Sequence, residues 1–323
     1  MRVSQLAALL FVLGISPTVI YRQLPIQKPS QPSEPAQSST RKDEQEQDKS
    51  QIVSVDTTDV VLHLTVTDGN GKFISKLTAE DFEVLEDRVS QHVLSLSSYE
   101  LPFAAAILLD TSGSMDSKMS LARAACTGFV EGIRDGDVFA IYGFGGTKVK
   151  LLQDFTEVRD AGFALWDEDA RGMTPLYDGI VEASQALGKR GERRKAILLV
   201  SDGADTQSKA TFEKALRQAM AFDISIYCVD LTDPTLNRTN AANPGGEAMK
   251  NFSLKTGGRF FRTPGGAALK SAFIDTVQEL RNQYTLIYEP LNEKRDGKWR
   301  SIEVRPRRLN VNVRTRQGYF AKK

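Results

Sequence analysis

The stretch AAILLDTSGSM, residues 105–115, decides how this 323-residue chain is read. An apolar run stops on an acid, Asp110, and small or hydroxylated residues follow it. A short apolar run bounded by turn residues has the character of a fully buried strand. A carboxylate at the end of such a strand costs free energy unless something compensates it. Ser112 and Ser114, two and four places further on, supply hydroxyls in the loop directly after it.

The same pattern recurs on the C-terminal side. FAAAILLD (103–110), DVFAIYGFG (137–145), KVKLL (148–152), KAILLVSD (195–202), DISIYCVDL (223–231) and RFFRT (259–263) read as strands. The segments 117–134, 174–189, 208–222 and 265–284 place apolar residues at helical spacing. Alternating strand and helix predicts a parallel sheet covered on both faces. Residues 103–283 are therefore expected to form a doubly wound α/β domain with a mostly parallel six-stranded sheet.

On either side the period changes to two. Val60, Leu62, Leu64 and Val66 alternate with more polar residues, and Asp68-Gly69-Asn70-Gly71 is a hairpin signal. Further strands are expected around Phe82–Leu85 and Val93–Leu96, and again from Tyr284 onward through Ile302, Val304, Leu309, Val311 and Val313. Isolated hairpins are marginal in water. The flanks 51–102 and 284–323 are thus expected to share one small β-sandwich-like domain, with the α/β domain inserted between them. Two separate small β units are the alternative.

The N-terminus differs. Arg2 precedes the apolar run LAALLFVLGI (6–15), the length of a secretory h-region. Residues 1–21 read as a signal peptide or, uncleaved, as an N-terminal anchor, although the run is short for a span of roughly 20 residues. Residues 22–50, rich in Gln, Pro, Ser and charge, read as a disordered linker. These segments place the folded part outside the cytoplasm, secreted or periplasmic, touching a membrane only through the N-terminal segment. A net charge of +1 gives no general reason to expect nucleic acid. The arginines between Lys294 and Arg316 alternate with apolar residues and read as a solvated sheet face.

In a doubly wound sheet, ligands bind beyond the carboxyl ends of the strands, where strand order reverses. With the order 3-2-1-4-5-6, the strand ending in Asp110 lies beside the one ending in Asp202. Two adjacent carboxylates need a cation or a shared proton. Ser112, Ser114 and Thr174 supply hydroxyls, the last from RGMTPLYDGI just before a helix. An oxygen-only set of Asp110, Ser112, Ser114, Thr174 and Asp202 suits Mg²⁺, or Mn²⁺ or Ca²⁺, rather than zinc.

Other features carry simpler readings. Thr174 is also placed to cap a helix, with Pro175 at its first position. Asp116 and Asp205 are expected to be solvated. Gly143, Gly145 and Gly146 read as turn chemistry, because no Lys-Ser/Thr follows at phosphate-loop spacing. His63 and His92 lie in separate strands without ligand-spaced partners and read as structural. Cys126 and Cys228 are expected to be buried free thiols, too far apart for the roughly 7 Å Cα limit of a disulfide.

D-T-S-G-S, then a Thr before Pro-Leu-Tyr-Asp, then S-D-G together resemble the metal-ion-dependent adhesion site (MIDAS) of von Willebrand factor type A domains. The resemblance covers about residues 100–285, and the whole chain is similar to bacterial proteins of that kind. It implies that Ser112 and Ser114 bind the metal directly, Thr174 directly or through water, and Asp110 and Asp202 largely through waters and hydrogen bonds. Neutral direct ligands leave the cation's charge poorly offset, so it attracts an external Asp or Glu carboxylate. The expected function is a protein-binding module, not an enzyme. One alternative is an envelope scaffold with a merely stabilising metal site. Another is an aspartic-type hydrolase, since D-T-S-G resembles the D-[ST]-G of aspartic proteases. The order Ser-Asp-Gly and the helical segments argue against that hydrolase.

Overall fold

The structure is a computed structural model that describes residues 59–160, 172–232, 244–263 and 266–323. The segments 1–21 and 22–50 lie outside the described residues, all of which belong to one compact unit, Ile52–Lys323.

The first three strands are β1 (Val60–Asp68), β2 (Phe82–Glu86) and β3 (Val89–Ser97). The chain then enters β4 (Phe103–Asp110), α1 (Met119–Gly132), β5 (Val138–Gly145), β6 (Lys148–Thr156) and α2 (Leu176–Gly188). It continues through β7 (Arg194–Ser201), α3 (Phe212–Ala221), β8 (Ile224–Asp230), α4 (Pro244–Thr256), β9 (Phe260–Arg262) and α5 (Gly266–Arg281). It ends in β10 (Tyr284–Glu289), β11 (Trp299–Pro306), β12 (Val311–Arg314) and β13 (Gly318–Phe320).

Two sheets result. The first has six strands in the order β6-β5-β4-β7-β8-β9. β4 pairs in parallel with both β5 and β7, so strand order reverses between β4 and β7, as expected. Only β6, at one edge, runs antiparallel. The second has seven antiparallel strands in the order β12-β1-β10-β3-β2-β11-β13, drawn from both flanks. β11 and β12 also touch, so this sheet curls.

β4 shows why the centre holds. Every residue of FAAAILLD is buried, because helices cover both faces. Phe103, Ala105, Ile107 and Leu109 face α1 and α5, against Phe129, Phe273 and Val277. Ala104, Ala106 and Leu108 face α2 and α4, against Ile180 and Phe252. Three consecutive alanines leave room for helices on both sides. The same division separates the cysteines. Cys126 packs in the first layer and Cys228 in the second, on opposite faces of the sheet. Both are free, and burial pushes each thiol up to about 12, so neither is a thiolate at neutral pH.

Some elements differ from expectation. α4 was not anticipated, because Pro244-Gly245-Gly246 opens it with poor helix formers and few apolar residues follow. Packing decides instead, since Met249 and Phe252 are fully buried against the sheet. Leu309 lies outside β12 at 92% exposure, in the turn before it.

The two sheets meet at Arg194, the first residue of β7, whose side chain is fully buried. Its Nη1 donates to the carbonyls of Leu280 and Arg281 at 2.9 and 2.8 Å. Its Nη2 donates to the carbonyls of Tyr99 and Gln283 at 2.8 and 2.6 Å. Tyr99 lies where the chain leaves the curled sheet, and Leu280–Gln283 where it returns. One guanidinium holds both crossings.

His63, on β1, is half-buried, and its Nδ1 is buried without a partner, while His92 is exposed. Burial, with the Arg194 and Arg316 guanidiniums nearby, lowers His63 to about 4 against the opposing pull of Asp223. A histidine that protonates less readily when folded favours unfolding as acid is added. Stability should fall as pH drops from about 6.5 to about 4, by up to about 3 kcal/mol for this group. Urea melts of His63→Phe across that range should show a shallower fall than the unsubstituted protein. Parallel curves would remove His63 as the cause.

Candidate metal site

The crevice forms where β4 and β7 end side by side. Asp110, the last residue of β4, is fully buried. Its Oδ1 accepts the Ser112 backbone N–H at 2.8 Å, and its Oδ2 accepts the Ser201 hydroxyl. Ser201 closes β7, and its Oγ also accepts the Gly203 N–H at 3.2 Å. Burial is the largest influence on Asp110 and raises its carboxyl above the ordinary range, which the Ser112 and Ser201 hydrogen bonds partly offset.

After Asp110 the backbone winds into a short 3₁₀ helix, Gly113–Lys118. It starts extended at Ser112 and carries Ser114 and Lys118 on one side. The Ser112 and Ser114 hydroxyls lie 3.2 Å apart. Ser114 Oγ donates to Asp202 Oδ1 at 2.7 Å, and Lys118 Nζ pairs with Asp202 Oδ2. The Asp202 side chain is only 4% exposed. Its loop is fixed by the Thr232 hydroxyl, which donates to the Asp202 carbonyl at 2.9 Å. Asp110, Ser112, Ser114 and Asp202 thus form one connected oxygen cluster at the reversal point.

The segment that carries Thr174 borders the loop after Asp110. Thr174 is buried just before α2, and the Gly113 N–H donates to the Gly172 carbonyl at 3.2 Å, tying its segment to that loop. Thr174 does not cap α2 through its side chain, since Pro175 is the cap residue and no side-chain cap bond forms. Its backbone pairs instead with Thr206. Thr174 N–H donates to Thr206 Oγ1 and Thr206 N–H to the Thr174 carbonyl, both at 2.9 Å.

Two nearby acids part company. Asp116 is exposed, as expected. Asp205 is instead built into the loop: its Oδ1 accepts the Tyr177 N–H at 3.2 Å and the Ser208 hydroxyl at 2.5 Å. It supplies the acceptor at the start of α2 that Thr174 was expected to provide. Gly145 is explained by contact, because a Cβ there would lie 2.5 Å from the Thr111 carbonyl oxygen, inside the loop that carries the serines. Gly146, at φ +65°, turns the chain into β6.

Lys118 was missed by sequence reading. Among the described residues, no group of three or more His, Cys, Asp and Glu side chains converges as a metal site. The crevice offers another donor chemistry, two carboxylates with serine hydroxyls, which fits a hard cation and not a thiophilic one. The carboxylates do not pair with each other. Each has its own hydroxyl partner, unlike the shared proton of an aspartic protease dyad.

Comparison with known proteins finds a family match over part of the chain. Residues 105–204, which include all five candidate ligands, match the family model of the von Willebrand factor type A domain. Similar solved structures include the PilB minor pilin from Streptococcus sanguinis, at 14% identity and a TM-score of 0.44. That alignment covers 57% of this chain and 62% of the pilin, less than two thirds of its length. The conserved hypothetical protein BatB from Bacteroides thetaiotaomicron is similar at 18% identity over 55% of this chain and 98% of that one, with a TM-score of 0.45. A von Willebrand factor type A protein from Catenulispora acidiphila is similar at 12% identity over 81% of this chain and 74% of that one, with a TM-score of 0.47. No curated protein matches the chain. The α/β sheet with its reversal between β4 and β7 holds the stretch that the family comparison picks out: residues 105–204 are similar to a von Willebrand factor type A domain.

Proposed function

We propose that this chain is a protein-binding module that captures an Asp or Glu carboxylate of a partner through a divalent cation. The observation that carries this reading is the connected cluster of Ser112, Ser114 and Asp202 beside buried Asp110, at the mouth of the sheet's reversal point. Ser112 and Ser114, with Thr174, would hold the ion, and Asp110 and Asp202 would orient the hydroxyls and waters around it. Mg²⁺ is the expected ion, with Mn²⁺ and Ca²⁺ sharing its preference for oxygen. When bound it supplies positive charge that neutral hydroxyls do not cancel, which draws in an external carboxylate. Capture needs no bond to be made or broken. The family match supports an interaction module. The apolar run at residues 6–15 supports placement outside the cytoplasm.

The test is calorimetric. Titrating Mg²⁺ into the purified chain should give binding heat, and the Ser112→Ala/Ser114→Ala double variant should lose it. Equal heat from both proteins sinks the assignment. A second reading, a scaffold with a stabilising ion, would show as melting raised by Mg²⁺ but partner capture unaffected by chelator.

A further inference from the structure

Two carboxylates face the crevice, and they are compensated differently. Asp110 rests on neutral donors, the Ser112 N–H and the Ser201 hydroxyl. Asp202 takes the Ser114 hydroxyl on one oxygen and a full positive charge, the Lys118 ammonium, on the other. A carboxylate 4% exposed with a broken ion pair is strongly unfavourable, so this pairing stabilises the loop as it stands. The ammonium and a divalent cation draw on the same electrostatic resource. Ser114 and Asp202, two of the five candidate ligands, are bonded to each other, and Lys118 sits on the second. A divalent ion there would face the ammonium at close range, where like charges in a partly buried site repel strongly.

We infer that Lys118 is a built-in competitor of the metal ion, resting on the reading of the crevice as a cation site. The residue is suited to the task. Its backbone is fixed as the last residue of the 3₁₀ helix, which continues into α1. Its side chain is 21% exposed, so the flexible stem can swing to solvent without disturbing packing. Lys118 holds Asp202 in place until a cation takes over the carboxylate, and then it leaves. It keeps the loop ordered without metal and raises the cation concentration at which the site fills. Partner capture becomes conditional on that concentration.

The test uses the full chain and Mg²⁺ alone. Lys118→Met removes the charge and keeps most of the stem. It should bind Mg²⁺ at least about tenfold more tightly by calorimetry, the scale of a lost close-range repulsion. It should melt at a lower temperature in chelator and regain that loss when Mg²⁺ is added. Lys118→Arg, which keeps the charge, should stay within about threefold of the unsubstituted affinity. Should the methionine variant prove insoluble, Lys118→Gln serves the same comparison. Equal or weaker Mg²⁺ binding by the neutral variant overturns the inference while leaving the metal site intact. An arginine variant as tight as the methionine one also overturns it, since shape and not charge would be responsible. Absence of Mg²⁺ binding by every protein in the series overturns the cation reading, and the inference with it.

Discussion

Replacing Arg194 by methionine should destabilise the folded unit by about 4 kcal/mol. The expectation follows from what the guanidinium holds. Four backbone carbonyls converge on it, at Tyr99, Leu280, Arg281 and Gln283, all within 2.9 Å. Hydrogen bonds from a charged donor contribute about 1.5–3 kcal/mol each, and buried acceptors left unpaired cost about 1–3 kcal/mol each. Some carbonyls would recover water at the seam, so the sum overstates the loss. For a unit of this size about 4 kcal/mol corresponds to roughly 10 °C in melting temperature. Arg194→Lys should recover little, because one ammonium cannot span the fork that reaches both crossings. A loss below about 1 kcal/mol in urea melts would show that the crossings are held by their strands alone.

Asp110→Asn should have opposite effects on two measurements. Mg²⁺-dependent stabilisation should vanish, because an amide cannot offset a divalent cation. In chelator the variant should be as stable as the unsubstituted chain, or more so by about 1 kcal/mol. Burial already raises the Asp110 carboxyl, which means that holding it ionised costs folding free energy at neutral pH. An amide removes that cost and can still accept the Ser112 N–H and bond to Ser201. Thermal melts with Mg²⁺ and with chelator give both numbers. A variant that melts several degrees lower in chelator would make Asp110 a structural residue. Retained Mg²⁺ stabilisation would remove it from the site.

Much of this was legible in the residues. FAAAILLD announced a strand buried on both faces, and the alternation around it announced the parallel sheet. D-x-S-x-S and S-D-G lay at the ends of expected strands, and the observed reversal between β4 and β7 brings those ends together. What escaped had no local signature. α4 opens on Pro-Gly-Gly and forms because Met249 and Phe252 find a surface to bury against. Asp205 read as a solvated acid, and only the fold brings the start of α2 within its reach. Lys118 carried no sign of its partner, because Asp202 lies 84 residues away in sequence. Nothing marked Arg194 either, since backbone carbonyls leave no trace in the side-chain pattern.

The position of β10 has a consequence for how the chain comes together during synthesis. β10 lies between β1 and β3 in the curled sheet, so those two early strands never pair with each other. Among the described strands β1 lies between β10 and β12, both made after the whole inserted domain, and only its last residues meet the segment that follows it, through the Thr67–Phe73 bridge. The earliest strand of the sheet to be translated must therefore wait, unpaired along most of its length, until the middle of the chain has been made. The wait is shortened in conformational terms if the insert folds first, because its two ends then leave side by side at Arg194 and deliver β10 close to β3. Folding should thus proceed from the inside of the sequence outward, and slow folding of the insert would leave β1 exposed to pairing with another chain.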